Sequence, residues 1–249
     1  MRYFIRFAYR GTDFHGSQTQ PNGVTVQQTM EEAFATILRT VVPLTFAGRT
    51  DAGVHAREMW AHFDVENELP DNFAGRLNSL LPDSIAIYDI ERVRADAHAR
   101  FDATSRTYRY YISTRKDPFA TGLRTRVAAG LDFEQMNHAA QLLLGKQDFA
   151  AFCRTHTDVK TTICDVREAC WTQENPYEAY FTITADRFLR NMVRAVVGTL
   201  FEVGRGRMTT DEFRDVILSL SRSRAGHSAD AKGLFLEHIS YPATIFAPF

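Results

Sequence analysis

Arg49 and Asp51 stand two positions apart in the stretch AGRTDAGVHA (residues 47–56), between Gly48 and Gly53. A carboxylate presented on a sharply turning loop can act as a nucleophile or a base. A neighbouring guanidinium would hold it ionised and oriented. Taken by itself, the loop reads more simply as an Asx-type turn with a solvated arginine. Asp51, His55 and His62 are also possible metal ligands, but neither D-x3-H nor H-x6-H is a defined metal spacing. A G-x-S-x-G elbow, a P-loop and a G-x-G-x-x-G are all missing from the sequence. Serine-hydrolase, phosphate-loop and dinucleotide chemistry therefore lose ground.

Two further stretches carry reactive or binding groups. In HARFDATSRTYRYYI (residues 98–112), strand alternation puts Tyr108 and Tyr110 on one face and Arg109 and Tyr111 on the other. An aromatic ring on an open sheet face can stack on a base while nearby arginines take phosphates. The same tyrosines would equally serve as ordinary strand packing. In RFLRNMVRAVVG (residues 187–198), Arg187, Arg190 and Arg194 recur at i, i+3 and i+7, which predicts an arginine stripe along one helix edge. A plain amphipathic helix would show the same pattern.

Charge supports a polyanionic partner despite a formal net charge of −1. Residues 94–126 carry a net +5 and residues 187–207 a net +4, so the rest of the chain is strongly acidic. Clustered arginines of this kind can track a phosphate backbone, although each run by itself is also compatible with solvated surface charge. Cys153, Cys164 and Cys170 form no C-x-x-C pair, which points to a reducing compartment without a disulfide or zinc framework. Arginines at positions 2, 6 and 10 argue against a secretory leader, and no apolar run reaches membrane-spanning length. The expectation is a soluble, cytoplasmic protein.

The elements that must position these groups fall into two similar series. In the first, a strand over 2–9 precedes a helix that the TVQQ box at 25–28 caps, with Met30, Ala33, Phe34, Ile37, Leu38 and Val41 at helical spacing. Strands over 44–47 and 59–65, a helix over 72–80 and a strand over 84–93 complete it. The second series runs strand 106–114, helix 133–144, strands 162–171 and 177–185, helices 189–203 and 211–220, and strand 234–239. Each reads β-α-β-β-α-β, with one extra helix in the second. The expected class is α+β, with two ferredoxin-like (split βαβ) units over 1–103 and 104–249. Their sheets are expected to join into one mixed or antiparallel sheet, with helices on one face and an open face on the other.

In order and interval, AGRTDAGVHA, LNSLLPDSIAI (77–87), HARFDATSRTYRY, FLRNMVRAVVG and GLFL (233–236) resemble the tRNA pseudouridine synthase A family over residues 2–242. The resemblance implies Asp51 as the catalytic nucleophile and Arg49 as the arginine that pairs with it and helps hold the target base out of the stem. Tyr108 matches the tyrosine that packs on the target uracil, and Arg106, Arg190, Arg194 and Leu234 are expected to contact substrate. It further implies that the open sheet face is an RNA-binding active-site cleft, in a homodimer acting on tRNA without metal or cofactor. The uridines expected to be isomerised lie on the 3′ side of the anticodon stem-loop, at tRNA positions 38, 39 and 40. A catalytically silent RNA-binding module on the same fold is the alternative.

The chain departs from the family pattern at Arg10, Ser17, Met59 and Asp230. Arg10 and Ser17 are expected in an RNA-contacting loop.

Overall fold

A computed structural model describes residues 1–154 and 160–246. The chain is α+β and divides into two compact units, Met1–Thr104 with Leu236–Phe249, and Ser105–Phe235. Five α-helices occur among the described residues, and none is long and apolar enough to cross a membrane.

In the first unit the elements are β1 (Arg2–Tyr9), α1 (Val26–Leu38), β2 (Thr45–Phe46), β3 (His55–Asp64), α2 (Phe73–Leu80) and β4 (Ile85–Arg92). β1 lies between β4 and β3, antiparallel to both, and β2 adds to β3. Thr25 caps α1 as its sequence predicts, its hydroxyl accepting the Gln28 amide at 3.3 Å. Alternation along β1 gives the sheet two different faces. Tyr3 stacks on Phe63, and Phe63 meets Phe34 of α1 at 4.9 Å, with Phe73 of α2 behind it at 5.1 Å. On the opposite face, Phe4 and Trp60 are covered by the rings of Tyr241 and Phe246, with centroids 5.4–5.9 Å apart. Burying a ring the size of Phe4 contributes about 2–3 kcal/mol.

That cover corrects the expected boundary of the second unit. Sequence order assigns the final residues to 104–249, yet Leu236–Phe249 groups with the first unit. The reason is a set of long-range bonds. The Ile239 amide donates to Glu58 Oε1 at 3.0 Å, and Tyr241 donates its hydroxyl to the Ala99 carbonyl.

The second unit contains β5 (Ser105–Ser113), β6 (Thr125–Arg126), α3 (Phe133–Gln141), β7 (Gly145–Asp148), β8 (Ile163–Asn175), β9 (Glu178–Ala185), α4 (Met192–Gly204) and α5 (Thr210–Ser219). The last strand of the chain is β10 (Leu234–Ser240). Antiparallel strands run in the order β5-β9-β8-β7, with β6 parallel to β5. The two short strands β6 and β7 are additions to the predicted series. Eleven of the thirteen residues of α4 are buried, among them Val196, Leu200 and Phe201. A helix enclosed on nearly all sides has no edge left for a stripe of arginines. α4 begins at Met192, so Arg187 and Arg190 precede it and only Arg194 is helical. Asn191, with φ of 66°, is in the left-handed region and ends the preceding loop.

Candidate active site

Asp51 opens a four-residue turn in which its carbonyl accepts the Val54 amide at 3.1 Å. Gly53 occupies the third position with φ of 77°, a conformation that a side chain would strain. Val54 and His55 then enter the interior at the head of β3. Against this turn lies the short 3-10 turn Gly11–Asp13. Gly11 donates its amide to His55 Nδ1 at 3.1 Å, and a Cβ there would stand 2.0 Å from the Val54 carbonyl oxygen. The residue before Asp51 is held more tightly still. The Thr50 amide donates to Ser17 Oγ at 2.9 Å, the Thr50 carbonyl accepts the Ser17 amide at 3.2 Å, and Thr50 Oγ1 bonds the Tyr9 hydroxyl at 2.8 Å. Asp51 itself is half-buried.

Arg49 is exposed beside the half-buried Asp51. One expectation changes here. Ser17 is not on an RNA-facing surface, since it is 1% exposed and bonded to the loop that carries Asp51. Arg10, by contrast, is exposed and pairs with Asp13 at 3.4 Å. Met59 is fully buried in β3.

His55 and His62 are engaged in framework bonds. His55 Nδ1 accepts from Gly11, and His62 Nδ1 accepts the Ala99 amide at 3.1 Å. Burial, with Arg2 and His98 nearby, lowers the His62 pKa to about 4, so the ring is neutral at pH 7. Among the described residues no group of three or more His, Cys, Asp or Glu could hold a metal ion.

In the second unit, Tyr108 lies near the start of β5 and is half-buried, its ring edge-on to Phe188 at 5.0 Å. Alternation puts it on the side of Tyr110, which is fully buried against Phe201 of α4 at 6.1 Å. Tyr108 is therefore on the helix side of its strand. Asp186, just after β9, organises its surroundings. Its Oδ1 accepts the amides of Asp165 and Arg187, both at 2.8 Å, and its carbonyl accepts Arg106 Nη1 at 3.0 Å. Arg190 is exposed, and its carbonyl accepts the Arg154 amide at 3.0 Å. Arg194 donates Nε to the Ala229 carbonyl at 2.7 Å, so it holds residues 221–230 in place. In the same segment, Ser228 Oγ accepts from Asn191 at 2.6 Å and from Arg222 at 2.9 Å. Asp230, the remaining departure, accepts the Tyr110 hydroxyl on its carbonyl at 2.9 Å. Leu234 is buried at the first position of β10.

Sequence reasoning singles out Tyr108 and Arg106 as candidates but not Phe188 and Asp186, which contact them, nor the left-handed Asn191. The F-L-R-N stretch carried a usable signal, since asparagine tolerates the left-handed conformation that ends a loop.

A family profile described as tRNA pseudouridine synthase matches residues 139–242. The chain is 54% identical to the tRNA pseudouridine synthase A of Bacteroides fragilis over 247 residues, 98% of each chain. It is 55% identical to that of Parabacteroides distasonis over 247 residues, again 98% of each. With the enzyme of Porphyromonas gingivalis the identity is 55% over 249 residues, 98% of this chain and 99% of that one. With similarity this high along nearly the whole length, the chain belongs to the tRNA pseudouridine synthase A family.

Proposed function

We propose that this chain isomerises uridine to pseudouridine in the anticodon stem-loop of tRNA, with Asp51 as the nucleophile. The observation that carries this reading is the Asp51 turn. It offers a carboxylate on a rigid support, fixed through Thr50 on one side and Gly53 on the other. The chemistry asks for little more than one well-placed carboxylate. The bond from ribose C1′ to uracil N1 breaks, the base turns, and C1′ bonds to C5. N1 gains a proton and C5 loses one, so atoms and electrons balance without a co-reactant.

The target base must leave its stack to be reached. Tyr108 then packs on the uracil, and Arg49, exposed two residues before Asp51, pairs with it and helps hold the flipped base. Arg106, Arg190, Arg194 and Leu234 complete the substrate contacts in this reading, with the arginines of 187–207 supplying phosphate attraction. A tRNA substrate places the protein in the cytoplasm. The assembly is a homodimer, and the fold is two split βαβ units, a reading supported by the strand order β4-β1-β3 with β2 beside β3.

The test is pseudouridine mapping in unmodified tRNA incubated with the protein and with Asp51→Ala. The wild type forms pseudouridine on the 3′ side of the anticodon stem-loop, and the variant binds tRNA without turnover. Near-normal turnover in Asp51→Ala would remove the nucleophile assignment. Binding without any turnover by the wild type would favour the silent RNA-binding module.

A further inference from the structure

We infer that Ser17 is a positioning residue for the reaction, acting on Asp51 through the backbone of Thr50; this rests on the reading of Asp51 as nucleophile. Ser17 and Thr50 are buried, 1% and 8% exposed, and they exchange two hydrogen bonds. Thr50 donates its amide to Ser17 Oγ at 2.9 Å and accepts the Ser17 amide at 3.2 Å. Ser17 is itself anchored, because its carbonyl accepts the Gln27 amide at 3.0 Å, in the first turn of α1. A chain of bonds therefore runs from α1 through Ser17 to Thr50, and the next residue is Asp51.

Tyr9 closes the clip from the other side, its hydroxyl 2.8 Å from Thr50 Oγ1 in a buried contact. Thr50 thus has its amide, carbonyl and side chain all fixed, while Asp51, one peptide further on, is half-buried. Two bonds to one residue fix the direction of the following peptide as well as its place. That direction sets where the carboxylate meets the reacting carbon. A nucleophile displaced by about 1 Å can lose about a hundredfold in rate with binding intact. The serine hydroxyl accepts the Thr50 amide, so its removal leaves that amide without this acceptor in a buried place.

The experiment compares Ser17→Ala, Ser17→Thr and Tyr9→Phe with the wild type. The readouts are single-turnover pseudouridine formation, KM and the tRNA dissociation constant. Ser17→Ala is expected to lower kcat about 10- to 100-fold while KM and tRNA affinity stay within about twofold. Ser17→Thr, which keeps the hydroxyl, should hold kcat within about threefold. Unchanged kcat in Ser17→Ala overturns the inference, and so does a threonine variant as poor as the alanine one. Loss of tRNA affinity in proportion to kcat would make Ser17 an RNA contact instead, which also overturns it. Should Ser17→Ala fail to fold, Tyr9→Phe decides, with reduced kcat at full tRNA affinity expected and wild-type kcat fatal to the idea. Asp51→Ala in the same assay separates the two readings, since turnover in that variant removes the nucleophile whatever Ser17 does.

Discussion

The loop that carries Asp51 is held mainly through its backbone, whereas the surroundings of Tyr108 are assembled from side chains of separate segments. At Asp51 the amides and carbonyls of Gly11, Ser17, Thr50 and Val54 are tied, with partners as far as 44 residues apart in sequence, and glycines let the strands of chain touch. At Tyr108 the ring meets Phe188, and on the same strand Arg106 reaches the Asp186 carbonyl. Backbone ties resist displacement and suit a group whose position decides a rate. Side-chain packing can adjust by rotamer and suits a surface that must accept a large, variable ligand. Substitutions should therefore act mainly on kcat in the first region and be shared between kcat and KM in the second.

Gly11→Ala is expected to have the largest effect. Its new Cβ would stand 2.0 Å from the Val54 carbonyl, and neither backbone can yield without moving the head of β3. Pseudouridine formation should fall by about 100-fold or more, with a melting temperature several degrees lower and tRNA affinity reduced only a few-fold. A variant with wild-type turnover would show that the turn tolerates displacement, and the contrast between the two regions would fail.

Tyr108 comes next. Stacking of a base on an aromatic ring is worth about 1–3 kcal/mol by alanine substitution, so Tyr108→Ala should lower kcat/KM by about 5- to 150-fold. Tyr108→Phe keeps the ring and its edge-on contact with Phe188 and should stay within about threefold of the wild type. An alanine variant as active as the wild type would rule out a packing role, and a phenylalanine variant as poor as alanine would shift the role to the hydroxyl.

The same contrast explains which parts were legible in the sequence. β1 covers residues 2–9 as expected, and α1 starts behind its threonine cap, because both depend on neighbours a few residues apart. β6, at two residues, and β7, four residues of mostly polar chain, carry no period to read. The arginine spacing of 187–194 suggested one continuous helix edge, and the left-handed Asn191 interrupts it. Ser17 was misread because its partner Thr50 is 33 residues away, and the cover over Phe4 depends on rings more than 230 residues distant in sequence. Motifs single out Asp51 and Tyr108 as candidates, while the residues around them are joined by contacts a linear pattern does not record.

The smallest expected effect concerns pH and separates the two units. His62, packed against His98 and facing Arg2, Asp64 and Asp102, has its pKa lowered from 6.5 to about 4. The unfolded chain therefore binds a proton more readily than the folded one. Stability is complete above pH 6.5 and falls as the pH drops towards 4. In the second unit the buried groups shift the other way. Burial raises the Tyr110 hydroxyl, and it pushes the Cys164 thiol from 9.0 up to about 12. Their contributions persist at low pH and are lost only as the pH rises above about 9. His62→Asn, which keeps an acceptor for the Ala99 amide, should lose less melting temperature than the wild type between pH 7 and pH 4.5. Hydrogen exchange at pH 4.5 should show β3 amides loosening before those of β5 and β9. Equal acid loss in variant and wild type would assign the transition to the carboxylates and take His62 out of it.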